Sequence, residues 1–348
     1  MTEVATALWM RLHGEGLVEH PQPPVRDQPP WYIHLLLGIC AWFAAIFVMA
    51  FFGVLFHGLF RHAAGLLVVG GLCCTSAVVV LRGAGGRLFL AQFAVPFSLA
   101  GQGMIAAGVA QFSTRFEATG FGIGLLCAGT LMAALAAQAQ HRFLSAGIAL
   151  TGIVVVLGDL RVLALAAPLF AAVALAFWLG VRSSVPSSQH LALRPAMHAV
   201  HLALMMVLWF RNVPWYRGEA TSSALLLRAA DIYDVLLALL WLGAVFGLLR
   251  LYRAPSALLW LGMAAIPTVL LLPAPGVLAA LMLLLLGFAA AERAVLATGL
   301  IGLLVYLARY YYEIDISLLA KSGVLVASGG VLLVLRMLLV QKREDVPG

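Results

Sequence analysis

The sequence predicts an all-α fold, a polytopic bundle of transmembrane helices, from three observations. Of the 348 residues, 64% are hydrophobic and 10% are charged, whereas soluble domains carry roughly 25% charged residues. The apolar residues form continuous runs of about 16–25 residues, the length that a helix needs to cross about 30 Å of hydrocarbon. The runs lack the alternating polar and apolar residues of barrel strands. The helix is therefore the structure in which the backbone can satisfy its own hydrogen bonds in lipid.

Residues 1–30 form the one sizeable segment that we expect outside the membrane, and residues 31–348 form the transmembrane domain. In the first segment Val4, Leu8 and Leu12 recur at helical spacing, which predicts an amphipathic helix on the cytoplasmic face of the membrane. Docking of this helix onto a partner protein is the alternative interpretation. The prolines between positions 21 and 30 forbid regular structure and predict a stiff tether.

Twelve predicted spans then follow one another with short connections. Their approximate bounds are 33–56, 63–81, 88–111, 117–138, 142–158, 162–180, 195–210, 224–249, 256–272, 276–291, 294–309 and 316–340. Pro273 and Pro275 leave only a tight turn between the ninth and tenth spans. If those two were one broken element, the number of spans would fall to eleven.

The distribution of basic residues predicts the orientation. With twelve spans, thirteen of the 21 lysines and arginines fall on the side of the N-terminus and six on the opposite side. Because basic loops remain in the cytoplasm, both termini are predicted to be cytoplasmic. The net charge of +7 follows from this topology, so no nucleic acid is expected as a partner, and membrane lipid is the partner that the composition requires.

Small and amide side chains in the third and fourth spans predict how helices pack. Gln92 and Gln102 are expected to form hydrogen bonds between helices. Glycines are expected to let helix backbones approach closely, and in these two spans they are Gly101, Gly103, Gly108, Gly120, Gly122, Gly124 and Gly129.

Ionisable residues near the outer ends of several spans form the candidate polar site. Arg228, Asp231 and Asp234 share a broad face of the eighth span, and Lys321 lies about 9 Å into the last span. The predicted pairing is Lys321 with Asp231 or Asp234. The remaining members of this outer cluster are Asp159, Arg161, Glu313 and Asp315.

Three interpretations of the outer cluster remain open, because ionised groups within a membrane usually face protein or water. The charges could pair with each other and fix helix packing. They could line a water-filled cavity that binds an ion or a proton in a transporter or channel. They could also belong to a membrane enzyme that acts on a lipid-linked substrate.

Motifs of known chemistry are absent from the sequence, which contains no P-loop, HExxH, GxSxG or dinucleotide-binding fingerprint. His198 and His201 are three residues apart, a spacing that could place both on one metal ion. No carboxylate or thiol lies near them in the sequence, so we favour a packing role. No catalytic residue, metal or cofactor is predicted, and a non-enzymatic protein is favoured.

The C-terminal third carries a family resemblance. Between Gly276 and Arg336 it contains Leu283–Ala289, then three tyrosines from Tyr310, then Leu318–Ser322, then Gly329 or Gly330 before a leucine-rich end. Together with Trp31-Tyr32 at the first span, this pattern resembles the bacterial membrane-protein family catalogued as domain of unknown function 4401. The resemblance implies a multi-span protein of the bacterial inner membrane without an assigned activity. It also implies a hetero-complex, because members are often encoded beside another membrane protein of similar type.

These observations favour a structural or partner-binding component of a membrane complex, with another polytopic membrane protein as the partner. An ion- or proton-coupled transporter that uses the outer cluster is the first alternative. A membrane enzyme is the second.

Overall fold

A computed structural model describes residues 3–16, 18, 30–85, 87–112, 117–184, 187–210, 224–251, 261–262, 264–265, 268–269, 271–272 and 274–313. Within these ranges the regular secondary structure is helical and contains no strand. The predicted all-α class is therefore confirmed for this part of the chain. The proline-rich tether and the last predicted span lie outside the described residues.

The α-helices are α1 Glu3–Gly14, α2 Trp31–Leu55, α3 Ala63–Gly83, α4 Leu88–Phe112, α5 Glu117–Leu135, α6 Ala139–Asp159, α7 Ala166–Ser184, α8 Ser187–Phe210, α9 Ala224–Leu251, α10 Pro275–Ala290 and α11 Arg293–Glu313. Helix α1 is the predicted amphipathic helix. Ten of the twelve predicted spans coincide with α2–α11. The ninth, 256–272, is described only in part, and its described residues 261–262, 264–265 and 268–269 are helical.

Several helix ends differ from the predicted bounds, by four residues or fewer except at the start of α8. Helix α8 begins at Ser187 rather than at 195, and Pro195 lies inside it, because the apolar run marks the extent of the membrane rather than the extent of the helix. Helix α7 begins later than predicted. The chain leaves α6 through Arg161, whose φ is 59°, and a short 3-10 turn, Leu163–Leu165, precedes α7.

Seven described helical segments are long and apolar enough to cross a membrane. They are Leu35–Leu55, Ala63–Gly83, Leu88–Phe112, Ala118–Leu135, Ala139–Asp159, Leu191–Phe210 and Ile232–Leu251. Two further apolar helices, Leu163–Leu179 and Pro275–Ala290, are shorter. At 16 residues, α10 extends over about 24 Å, which is less than the usual hydrocarbon thickness. These dimensions are those of a multi-pass membrane protein.

Two groups of helices share α6. In the first group α3, α4 and α5 follow one another, with α2 packed against α4. In the second group α7–α11 surround a larger apolar core that includes Phe170, Leu204 and Leu283. Helix α6 packs against α5 on one side and against α8 on the other, so it joins the two groups.

Glycines allow the closest helix crossings, as predicted for Gly101 and Gly122. A Cβ on Gly101 would lie 2.7 Å from the carbonyl oxygen of Gly70 in α3. A Cβ on Gly122 would lie 2.8 Å from the carbonyl oxygen of Gly152 in α6. Gly103 differs from the prediction, because a Cβ there would meet nothing within 4 Å.

Candidate functional site

The described part of the outer cluster is the turn after α6. Asp159 is exposed and accepts a hydrogen bond from the Thr119 hydroxyl of α5, while Arg161 is exposed at the left-handed position of the turn. This contact joins the first turn of α5 to the last turn of α6.

The remaining outer residues are described less completely. Asp234 is half-buried on α9. The side chains of Arg228, Asp231 and Glu313, and the whole of Asp315 and Lys321, lie outside the described residues. The pairing of Lys321 with Asp231 or Asp234 therefore stays a prediction, and so do the transport and enzyme hypotheses that depend on it.

A different polar arrangement is present on helix α8. Five residues three or four positions apart share one face of this helix, and four of them contact polar or aromatic groups of α7, of α11 or of the turn between α10 and α11. We call them the α8 column: Arg194, His198, His201, Met205 and Trp209. From Arg194 to Trp209 the column extends about 22 Å along the helix axis, which is most of the usual hydrocarbon thickness of about 30 Å.

An ion pair occupies the first end of the column. Arg194 Nη1 lies 3.2 Å from Glu292 Oε2, and the Glu292 side chain is 16% exposed. Glu292 follows Ala291, which ends α10 in the left-handed conformation with φ 54°. The Glu292 amide donates to the Gly287 carbonyl at 2.9 Å, so the backbone of the α10–α11 turn holds this carboxylate in place.

The centre of the column is a buried histidine–tryptophan contact. Trp178 Nε1 of α7 donates to His201 Nε2 at 3.1 Å, and the two rings are nearly parallel, with centroids 6.2 Å apart. His201 is 0% exposed. Because an indole N–H can only donate, Nε2 must be the acceptor and the imidazole proton must reside on Nδ1. No described residue accepts a hydrogen bond from Nδ1.

This tautomer argues against the metal hypothesis for His198 and His201. Both nitrogens of the His201 ring are occupied, one by the Trp178 hydrogen bond and the other by its own proton, so His201 has no lone pair to offer a metal. Among the described residues no group of three or more His, Cys, Asp or Glu side chains could hold a metal ion. The packing role favoured for these histidines fits His201.

At its second end the column is tied to α11. The Tyr306 hydroxyl donates to the Met205 carbonyl. Arg309 donates to the Trp209 carbonyl, and its guanidinium carbon lies 4.9 Å from the centre of the Trp209 ring. Of these two carbonyls, that of Trp209 is among the last four of α8, which lack an intrahelical donor, so a side chain of a neighbouring helix satisfies it.

The Tyr306 hydroxyl can be tested separately from its ring. Tyr306→Phe should lower the free energy of unfolding by about 1 kcal/mol, because the hydrogen bond from the hydroxyl to the Met205 carbonyl is lost while the buried ring stays in place. Thermal unfolding in detergent measures the effect. Tyr32→Phe, at a residue that is 57% exposed, is the control and should cost less than half as much. Equal effects of the two substitutions would contradict this role.

A single arginine joins three helices near the first end of the column. Arg142 of α6 donates to the carbonyls of Ala133 and Ala136 at the end of α5, and to the carbonyl of Ala192 in α8, at 3.1, 2.5 and 2.5 Å. We call this arrangement the Arg142 clamp. The end of the bundle that contains the clamp, the Arg194–Glu292 pair and the α10–α11 turn is hereafter the basic end.

A buried polar cluster connects α4 to α6 in the first group of helices. Gln102 Nε2 donates to the hydroxyls of Ser98 and Ser145, each at 3.1 Å, and His141 Nε2 lies 2.7 Å from the Ser98 hydroxyl. All four side chains are 0% exposed. The predicted interhelical hydrogen bond of Gln102 is confirmed.

The outward face of the first group contains an apolar groove between α2, α4 and α6. Its volume is about 490 Å³. Polar atoms enter it at one place: Trp42 Nε1 donates to Gln92 Oε1 at 3.3 Å, and Gln92 Nε2 donates to Gln140 Oε1 at 2.7 Å. The apolar lining comes from α2 and consists of Leu35, Gly38, Ile39, Phe43 and Ile46.

The fold and these sites define the class of the protein, a polytopic α-helical membrane protein whose polar groups join helices to one another. A family model described as domain of unknown function 4401 matches residues 30–342, so the chain belongs to that family. The match is wider than the C-terminal region that carried the resemblance. No curated protein and no solved structure matches the chain.

Proposed function

We propose that this chain is a non-enzymatic, partner-binding component of a membrane complex, and that the groove beside α2 binds a transmembrane helix of another polytopic membrane protein. The observation that carries the proposal is the Gln92–Gln140 amide pair, which lies in a groove otherwise lined by apolar side chains.

The position of α2 supports this proposal. Its span is 11% buried, whereas the span of α4 is 44% buried. Phe43 and Phe47 of α2 are 60% and 71% exposed. Helix α2 is thus the most peripheral of the seven candidate spans, and it offers a long aromatic surface against which a further helix can pack.

The chemistry of the amide pair identifies the kind of partner. Gln92 Oε1 accepts from Trp42 and from Gln140 Nε2, and each amide nitrogen uses one N–H within the pair. Each nitrogen therefore keeps a second N–H. Gln140 is exposed at the start of α6, where an acyl chain offers these N–H groups no acceptor. A helix that supplies a carbonyl or a polar side chain satisfies both groups, whereas an acyl chain satisfies neither.

The topology that we propose has twelve spans with both termini in the cytoplasm of a bacterium, in the inner membrane. Among arginines of the described helices and turns, the basic end has Arg82, Arg87, Arg142, Arg182, Arg194, Arg250 and Arg293, and the opposite end has Arg61, Arg161, Arg228 and Arg309. The excess supports a cytoplasmic basic end by the rule that cytoplasmic loops are richer in arginine and lysine.

Co-purification tests the partner hypothesis. After gentle extraction from native membranes, the wild-type chain should retain one polytopic protein in fixed stoichiometry. Replacing both Gln92 and Gln140 by leucine should lower that retention at least tenfold, which corresponds to about 1.4 kcal/mol.

Gln111→Leu is the matched control, because Gln111 is an exposed amide at the other end of α4; this variant should retain the partner. Retention by the double variant, or recovery of the wild-type chain with lipid alone, would refute the proposal. A monodisperse profile of the double variant shows that any loss is not due to unfolding.

A further inference from the structure

The first half of the α8 column combines a partly exposed charged residue, Arg194, with the buried His201. None of its residues lines the groove beside α2. From Arg194 to His201 the exposed fraction of the side chains falls to zero, and Glu292 packs beside the exposed end. The Arg194 side chain is 37% exposed, Glu292 is 16% exposed, His198 is half-buried and His201 is fully buried. His198 is thus the last residue of this half of the column with accessible surface.

His198 lies between the ion pair and the buried histidine. It is one helical turn from Arg194 on the same face of α8, and its ring centre is 5.9 Å from that of His201. The Arg194 Nε and the His201 Nδ1 are buried without a hydrogen-bond partner among the described residues. Polar groups that are left unpaired inside a protein are costly, so they mark this place as a site that needs explanation.

Only one of the two imidazoles is free to take up a proton. His201 would have to give up the Trp178 hydrogen bond, because a protonated imidazole has no acceptor. The charge would also be buried with no solvent contact. His198 is half-buried and has no such bond to Trp178, and the Glu292 carboxylate is near enough to interact with it electrostatically.

We propose that His198 and Glu292 form a proton-binding site that opens to the basic end of the bundle. A proton from the aqueous phase forms an N–H bond with the His198 imidazole, and the resulting cation shares the Glu292 carboxylate with Arg194. His201, which the hydrogen bond from Trp178 holds as a neutral tautomer, forms the buried end of the site. Because Glu292 belongs to the α10–α11 turn, proton uptake changes the contact that holds this turn against α8.

The charged and titratable groups around His198 are few among the described residues. On α8 itself they are Arg194 and His201. The α10–α11 turn contributes Glu292. Arg142 of α6 donates to the carbonyl of Ala192, two residues before Arg194 on α8. Tyr306 of α11 is farther along α8 and donates to the Met205 carbonyl. The proton affinity of His198 is therefore set by the Glu292 carboxylate, by Arg194, which pairs with it, and by Arg142, which is held in the clamp.

Histidine NMR of the full chain in lipid nanodiscs tests the proposal directly. With labelled histidine, the difference between wild type and His198→Gln assigns the signal of His198 among the nine histidines. The signal should convert from neutral to protonated as the pH falls. Glu292→Gln should move the midpoint at least about one unit to lower pH, because an adjacent carboxylate stabilises the cation by that amount or more. Arg194→Gln should move it to higher pH.

Two results would overturn the proposal: a His198 signal that does not titrate between pH 4 and 8, or midpoints that are the same in wild type and Glu292→Gln. The second would show an isolated surface imidazole rather than a site shared with Glu292. Glu15→Gln is the control, since Glu15 pairs with Arg11 after helix α1 and should leave the midpoint unchanged. All four variants alter side chains that are at least partly exposed, so the bundle should fold, and the His201 signal reports whether it does.

Discussion

Replacing Gly152 by leucine should prevent the stable association of α5 and α6. A Cβ at this position would lie 2.5 Å from the Gly122 carbonyl oxygen and 2.6 Å from the Leu126 nitrogen. Both neighbours are backbone atoms, so no side chain can move aside and the helices must separate. Overpacking in rigid cores costs roughly 1–3 kcal/mol and occasionally more. We expect a loss above about 3 kcal/mol, visible as a large decrease in melting temperature or as aggregation on extraction.

Gly147→Leu provides the matched control on the same helix, because a Cβ at Gly147 would meet nothing within 4 Å. This substitution should leave the melting temperature unchanged or raise it slightly, since glycine is a poor helix former. If the two variants unfold at the same temperature, the close crossing of α5 and α6 is not a determinant of stability.

Loss of the Arg142 clamp should have the second-largest effect. Arg142→Gln removes hydrogen bonds from a charged donor to three carbonyls on two helices. Each such bond contributes about 1.5–3 kcal/mol, and no further turn of helix donates to the carbonyls at the end of α5. We expect a loss of about 3 kcal/mol or more, measured by thermal unfolding of the purified protein.

Lysine at position 142 keeps the charge but lacks the planar fork, so Arg142→Lys should recover less than half of the loss. Arg87→Gln removes an exposed arginine from the same end of the bundle and should change stability little. A wild-type melting temperature for Arg142→Gln would contradict the clamp.

The class of the fold could be predicted because a membrane limits the choices so severely. Long apolar runs leave the backbone no alternative to a helix, and most predicted bounds agree with the helices found. The exceptions follow from the same reasoning. Hydropathy reports where lipid ends, so the polar first turns of α8 before Pro195 were excluded from the predicted span although they are helical.

The candidate site could be predicted only in part, because pairing over long sequence separations leaves little local signal. His198 and His201 were noticed for their spacing, but their partner Trp178 is on another helix, and Glu292 is far along the chain. Arg142 was counted only as a loop charge that sets the orientation. The interhelical hydrogen bond of Gln102 was predictable because a buried amide within a span must find a partner.

Photo-crosslinking in living cells tests the account most directly, because it reports what touches α2 in the native membrane. A photoreactive residue at Phe43, on the rim of the groove, should form an adduct with one membrane-spanning polypeptide. The same residue at Leu72, which is 65% exposed on α3, should label lipid only. Labelling of lipid alone at both positions, or of a second copy of this chain at Phe43, would contradict the partner that we propose.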